Sequence, residues 1–257
     1  MFAYQRDGRY FAFVARGLEE PAMAELRELG ARDVEAGASG VHFRHDAAGL
    51  YRVTYCSRLV SRVLAPLAEF SCFSEEALYE AARAVPWEEL ISLDRTFAVF
   101  ANVRGSRVSH SQFAALRVKD AVVDRFRDRC GRRPDVDADE PDAWIHLSLR
   151  DDRALLSLDA SGGSLHRRGY RRQTVAAPLQ ETLAAALVRL SGWQGERPLV
   201  DPMCGSGTIL AEAFMHYCRI PPAFQRGRFG FEALPDFDPR AWEEVRRQAE
   251  RERRALP

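Results

Sequence analysis

The sequence has almost no lysine or asparagine, no cysteine pairs, no long apolar run and no net charge. Among its 257 residues, 37 basic side chains balance 37 acidic ones, and the mean hydropathy is −0.32. Balanced charge excludes a protein that coats nucleic acid over its whole surface, although the total says nothing about local patches. No stretch approaches the roughly 18 uncharged apolar residues of a membrane-spanning helix, and Met1-Phe2-Ala3-Tyr4-Gln5-Arg6-Asp7 has no signal-peptide core. The reading is a cytoplasmic protein with no membrane partner. The five cysteines, Cys56, Cys72, Cys130, Cys204 and Cys218, are odd in number and contain no C-x-x-C pair, which excludes a disulfide framework and a structural zinc site. No residue is assigned to a metal.

Lys119 is the sole lysine and Asn102 the sole asparagine. Codon bias toward arginine explains the first, yet its physical consequence stands. Nearly every positive charge is a planar guanidinium, suited to bidentate phosphate contacts and to stacking on bases. With 46% hydrophobic residues, the length suits one large domain or two smaller ones, and disorder is excluded.

Apolar periodicity places strands at 10–15, 34–36, 41–44, 62–70 and 96–103, and helices at 19–29, 47–59 and from Ser74 onward. Ser74 is placed to cap the last of these. A long amphipathic helix spans 111–130, with Ala115, Val118, Val122 and Phe126 on one stripe and charges of alternating sign on the other. Residues 144–149 and 154–158 form a β-hairpin around Arg150-Asp151-Asp152-Arg153. Up to Asp159 this alternation fits two α+β modules of the split βαβ kind. His42 and His45 read as strand or surface residues, and Trp87, Trp144, Trp193 and Trp242 as packing residues.

Between Asp159 and Glu181 there is no acid, while His166, Arg167, Arg168, Arg171 and Arg172 surround Tyr170. Phosphates meet no local competition there, and an aromatic beside guanidiniums can stack on an unpaired base. A solvated interdomain linker is the alternative. A helix then opens from Ala177-Pro178 and runs through Leu183, Leu187 and Leu190 to Gly192.

The most informative string is Pro198-Leu199-Val200-Asp201-Pro202-Met203-Cys204-Gly205-Ser206-Gly207-Thr208. It reads as a buried strand ending in an acid, a glycine-rich turn and a helix start, where glycines admit a ligand close to the backbone and the helix presents free amides. A P-loop would need a lysine after Gly207, and a dinucleotide fingerprint would need glycine where Leu210 stands. Asp201 would repel a pyrophosphate. S-adenosylmethionine fits better, because an aspartate stabilises its cationic groups and helix amides accept its carboxylate. An ordinary strand-turn-helix without a ligand is the alternative.

This string, together with Ser164-Leu165-His166-Arg167-Arg168-Gly169-Tyr170-Arg171 and Ala177-Pro178-Leu179-Gln180-Glu181-Thr182, resembles the THUMP-domain class I RNA methyltransferases. Among them it is most similar to the bacterial large-subunit rRNA guanine-N2 enzymes. Ala15-Arg16-Gly17-Leu18, Gly40-Val41-His42-Phe43 and Arg117-Val118-Lys119-Asp120 extend the resemblance to the front of the chain. It implies an α+β fold: a ferredoxin-like module at 1–60, a THUMP RNA-binding domain at 61–160, and from 161 to 257 the start of a Rossmann-like class I methyltransferase domain. It further implies S-adenosylmethionine as cofactor, held by Asp201, Pro202, Cys204, Gly205, Gly207 and Thr208, with Leu179, Glu181 and Thr182 beside its methionine end. Structured RNA, 23S rRNA, is the implied partner, with Arg167, Arg168, Tyr170, Arg171, Arg172 and Lys119 as contacts.

The chain departs from the family after Cys218. No Asn/Asp-Pro-Pro-Tyr/Phe motif occurs, so no catalytic residue is assigned. A lone strand at 198–200 would also leave its backbone groups unpaired. The expectation is the RNA-holding front of a longer or split enzyme, inactive alone, whose remaining part could be a separate chain. A stand-alone RNA-binding module with a vestigial methyltransferase segment is the competing expectation, and a tRNA guanine-N2 or adenine-N6 enzyme is a further one.

Overall fold

The computed structural model describes residues 1–172 and 177–255. The first part of the chain forms α1 (Ala3–Asp7), β1 (Arg9–Phe13), α2 (Glu19–Glu28), β2 (Arg32–Gly37), β3 (Gly40–Arg44) and α3 (Ala47–Cys56). Next come β4 (Arg62–Ser71), α4 (Glu75–Ala84), β5 (Thr96–Arg104), α5 (Ser111–Cys130), β6 (Asp135–Val136), β7 (Ala143–Arg150) and β8 (Arg153–Asp159). Three helices follow: α6 (Glu181–Leu190), α7 (Thr208–Tyr217) and α8 (Pro239–Arg251). The chain divides into two units, each assembled from separate stretches of sequence.

One unit comprises Met1–Tyr10, Leu64–Gly163 and Arg228–Phe237. Its strands run in the order β4-β8-β7-β5-β6. Parallel pairing of β5 with β7 requires a crossover, which α5 supplies while packing on α4 and β5 through Ala114, Val118, Ala121, Val122 and Phe126. Ser74 caps α4 by accepting a hydrogen bond from the Ala77 amide. The β7–β8 hairpin closes through Asp151 at φ 51° and Asp152 at φ 59°, the left-handed pair of a type I′ turn that short acidic side chains tolerate. Trp87 is fully buried, and its indole donates to the Ala82 carbonyl at 2.7 Å.

The Arg228–Phe237 segment is built into this unit. The Phe231 amide donates to the Ala160 carbonyl at 2.7 Å, and the Phe229 and Phe231 rings stack at 5.0 Å. Gly230 has no alternative here, because a Cβ would lie 1.9 Å from the Asp159 carbonyl oxygen. Asp142 completes the attachment, pairing with Arg228 and Arg95 and accepting the Thr96 amide at 2.9 Å. Burial raises its pKa, but the amide and both guanidiniums outweigh burial and hold it at about 2, from an ordinary 3.8. A depressed carboxyl stabilises the fold above its unfolded pKa and loses that contribution as pH falls through the folded one. Asp142→Asn is therefore expected to cost about 1 kcal/mol at pH 7, a figure discounted for solvent screening, and only a small part of that near pH 2. Urea melts at the two pH values check this; an equal loss at both would remove the carboxylate from the account.

The other unit comprises Phe11–Val63, Ser164–Gly227 and the residues from Asp238 onward. Here the strand order is β2-β3-β1, with α2 against β2 and β3. Glu25 of α2 is buried, and its carboxylate accepts from the Ser57 hydroxyl and from the Arg58 and Leu59 amides at 2.9 and 3.1 Å, fixing the turn after α3. Asp238 caps α8, whose Trp242 packs edge-on against Tyr55 at 5.2 Å. Helices α6 and α7 pack on each other.

Two expectations are corrected. Residues 198–200 form no strand, and Val200 is 79% exposed. A strand must pair its amides and carbonyls, and every described strand belongs to the sheet orders above. Helix α6 begins at Glu181 instead of near Ala177. No helix among the described residues is long and apolar enough to cross a membrane.

Candidate cofactor and nucleic-acid site

The turn from Asp201 to Thr208 is shaped by two left-handed glycines, Gly205 at φ 53° and Gly207 at φ 74°, conformations that a side chain rarely adopts. Nothing lies within 4 Å of a Cβ built on either, so the turn faces open space. The Gly207 amide donates to the Cys204 carbonyl at 2.7 Å, and Asp201 accepts the Met203 amide at 3.1 Å. Helix α7 starts at once, with no side-chain cap and no acid in its first turn. A carboxylate, an open glycine turn and an uncapped helix start match the donor set that a sulfonium and an amino-acid end group require. Pro202 and Cys204 are exposed, and Thr208 is buried.

Arg171 ties this turn to the start of α6. Its guanidinium donates to the Leu179 carbonyl at 2.8 Å and the Thr208 hydroxyl at 3.1 Å, and lies 3.3 Å from the Glu181 carboxylate. Thr182 is buried beside Glu181. The structure thus brings Leu179, Glu181 and Thr208 together, three of the expected cofactor residues, around an arginine expected to touch RNA. A cavity of about 730 Å³ opens beside them, lined among others by Tyr170, Arg171, Arg172, Gly205, Ser206 and Phe214.

Arg168 is a correction. Only 2% exposed, it donates to the carbonyls of Leu165 at 2.8 Å and Arg58 at 2.5 Å, and lies 3.5 Å from the carboxylate of Glu212, which is fully buried. No surface remains for an RNA contact. Tyr170 is half-buried, and its hydroxyl donates to Glu212 at 3.1 Å; burial and that carboxylate push its pKa up. Burial also raises Glu212, and Arg168, Arg58 and Tyr170 draw it back only in part. Arg167 and Arg172 are exposed. Lys119 lies on α5 in the other unit, paired with Asp120 at 2.8 Å.

Sequence reasoning missed Glu212 and Arg58. The available signal was a single acid within the otherwise apolar run of α7, a costly residue there unless it faces a cation. Among the described residues, no group of three or more His, Cys, Asp or Glu side chains could hold a metal ion.

An acid, a glycine turn and an uncapped helix start, preceded by two α+β segments, fit the opening of a Rossmann-like methyltransferase domain behind two α+β modules. Three domain families match the chain in order: the RlmL ferredoxin-like domain at residues 9–64, the THUMP domain at 72–159 and the RMKL-like methyltransferase domain at 168–256. The chain thus carries a THUMP domain and a methyltransferase domain together. It is similar to the ribosomal RNA large subunit methyltransferase K/L of Syntrophotalea carbinolica, 46% identical over 96% of this chain and 35% of that protein. It is also similar to the putative RNA methyltransferase slr0064 of Synechocystis, 47% identical over 91% of this chain and 61% of that one. Among solved structures, SMU.472, a putative methyltransferase complexed with SAH, is 31% identical with a TM-score of 0.81 over 95% of this chain and 64% of its own. The chain therefore spans about a third to two thirds of the length of these relatives.

Proposed function

We propose that the chain is the RNA-holding and cofactor-motif part of an S-adenosylmethionine-dependent methyltransferase acting on guanine N2 of 23S rRNA in the cytoplasm, with domains at 1–60, 61–160 and 161–257. The observation that carries this reading is the Arg171 bridge, which joins Thr208 of the glycine turn to Leu179 and Glu181 at the start of α6. Asp201 would balance the cofactor's cationic end, and Gly205, Gly207, Pro202 and Cys204 would let the turn approach it. The SAH bound by SMU.472 supports the same ligand. The cofactor supplies an electrophilic methyl group; this chain's residues bind and orient it, and the basic hinge and front modules hold the RNA.

No Asn/Asp-Pro-Pro-Tyr/Phe motif occurs in the 257 residues, so the chain alone turns nothing over in this reading. Leu183, Leu187 and Leu190 on α6 and Leu210 and Phe214 on α7 are exposed. They form the face that the remaining methyltransferase sheet would cover, whether on the same polypeptide or on another.

The test is filter binding and methyl transfer on 23S rRNA transcripts. The chain should bind RNA without modifying it, and transfer to guanine N2 should appear once the missing methyltransferase part is supplied. Continued absence of transfer with that part present would favour a stand-alone RNA-binding module, and transfer to adenine N6 or to tRNA would replace the substrate. Replacing the exposed Arg167 and Arg172 together by Ala should flatten the log–log salt slope of RNA binding by about 1.4, roughly 0.7 per single-stranded phosphate. An unchanged slope would return this segment to a linker.

A further inference from the structure

We infer that the open sheet face of the THUMP-containing unit is a base-stacking platform for single-stranded RNA, with an arginine row to hold its backbone. The inference rests on the RNA reading above and assigns it a surface.

The register of three neighbouring strands builds the row. Arg104 of β5 is the direct partner of Arg150 of β7, which is itself the direct partner of Arg153 of β8. Like charges placed directly opposite each other across a sheet are destabilising. Nearby acids relieve only one member. Glu69 pairs with Arg153 at 2.6 Å, Asp152 is engaged with the Arg107 amide and guanidinium, and Asp151 lies in the turn against Gly105. Arg104 and Arg150 are both exposed, and neither has a carboxylate within ion-pair distance among the described residues. A fold that tolerates this repulsion is organised for an anion from outside.

Stepping two residues along each strand keeps to the same face. Asn102 is the direct partner of Ser148, and both are exposed, so the only asparagine in the chain stands beside the arginine row with its donors and acceptor free to meet a base edge. Two residues further, Phe100 is the direct partner of His146. Phe100 is 39% exposed, and its ring stacks on Trp144 at 4.8 Å and 24°, and on His146 at 5.8 Å and 27°. The opposite face is closed: Phe97, Ile145, Leu147 and Leu156 are buried, and α5 lies against β5. The open face therefore grades from guanidiniums through amide and hydroxyl to the exposed Phe100 ring, which the half-buried Trp144 and His146 support from beside it. A single strand needs that combination, with phosphates on cations and bases on π-faces, whereas duplex RNA offers no exposed base face.

The experiment is fluorescence anisotropy of a labelled oligouridylate and a matched RNA duplex with the full chain, across a salt series. Arg104→Ala/Arg150→Ala should weaken single-strand binding at least 10-fold and lower the salt slope by about 1.4. Phe100→Leu, which keeps an apolar side chain but loses the ring, should cost about 5- to 100-fold with the slope unchanged, and Phe100→Tyr should restore affinity. Thermal melts no lower than the parent's establish that the variants are folded. Wild-type affinity and slope in the double arginine variant would overturn the platform while leaving the RNA reading intact. An unsubstituted chain that binds no RNA would overturn that reading together with the platform. Displacement by polyglutamate as effective as by RNA, with Phe100→Leu neutral, would assign the arginines to an acidic protein and overturn the proposal.

Discussion

Glu212→Ala is expected to destabilise the unit that contains α6 and α7 by about 3–5 kcal/mol, seen in urea unfolding as a fall of more than about 1 M in midpoint. Arg168 and Glu212 have fully buried side chains 3.5 Å apart, and Arg58 donates to the carbonyls of Met215 and Ile220 at 2.9 and 2.7 Å within the same interior. Taking two guanidiniums out of water costs several kcal/mol each, and the single carboxylate offsets part of that. Removing it leaves Arg168 buried without its counter-charge and Tyr170 without its acceptor. Glu212→Gln keeps an acceptor but no charge, and should fall between the two. A Glu212→Leu/Arg168→Met double variant should lose less than the sum of the single changes, because it removes charge and counter-charge together. A Glu212→Ala protein within 1 kcal/mol of the parent would show that the buried arginines find compensation elsewhere.

This cluster also marks where sequence reading ends. Arg168 stands among His166, Arg167, Arg171 and Arg172, and the local pattern of charge without acid describes all five alike. What separates Arg168 from Arg167 is a carboxylate 44 residues downstream and a carbonyl 110 residues upstream. Chain separation of that size leaves no trace in local composition. Arg171 is half-legible for the same reason: its charge is plain, but its bridge to Thr208 depends on α6 and α7 packing together.

The elements that sequence reading placed well carry their own stop signals. Helix α5 spans Ser111–Cys130 as expected, because its apolar stripe is regular and Gly131 adopts φ 72° just beyond it. The β7–β8 hairpin was legible from its acidic turn. Helix α1, strand β6 and the Gly230–Ala233 turn were not, since each is too short for periodicity and exists through partners far away: Asp135 and Val136 beside Thr96 and Phe97, and Phe231 on Ala160. The reverse error at 198–200 follows from the same rule. Leu199-Val200 has strand composition, but pairing decides whether a strand forms.

Under the proposed function, Asp201→Ala carries the largest expected effect on ligand binding, a loss of about 100-fold or more in S-adenosylmethionine affinity when the chain is supplied with the further methyltransferase part. Hydrogen bonds to a charged group are worth about 1.5–3 kcal/mol each, and two lost to the cofactor's cationic end amount to about 3–6 kcal/mol, or roughly two to four decades in affinity. The carboxylate has a second role within the chain, since it accepts the Met203 amide at 3.1 Å and so helps set the turn. Asp201→Asn separates the two. The asparagine oxygen still accepts from Met203, so a roughly 10-fold loss there would measure charge alone, and the further loss in alanine would measure the turn. RNA binding should be untouched by either, because the exposed Arg167 and Arg172 do not contact the turn's carboxylate. Calorimetric titration of cofactor and anisotropy of RNA give the two readings on one preparation. Cofactor affinity within threefold of the parent in Asp201→Ala would move the cationic end of the ligand away from this acid, and the glycine turn would then have to be read as a backbone feature alone.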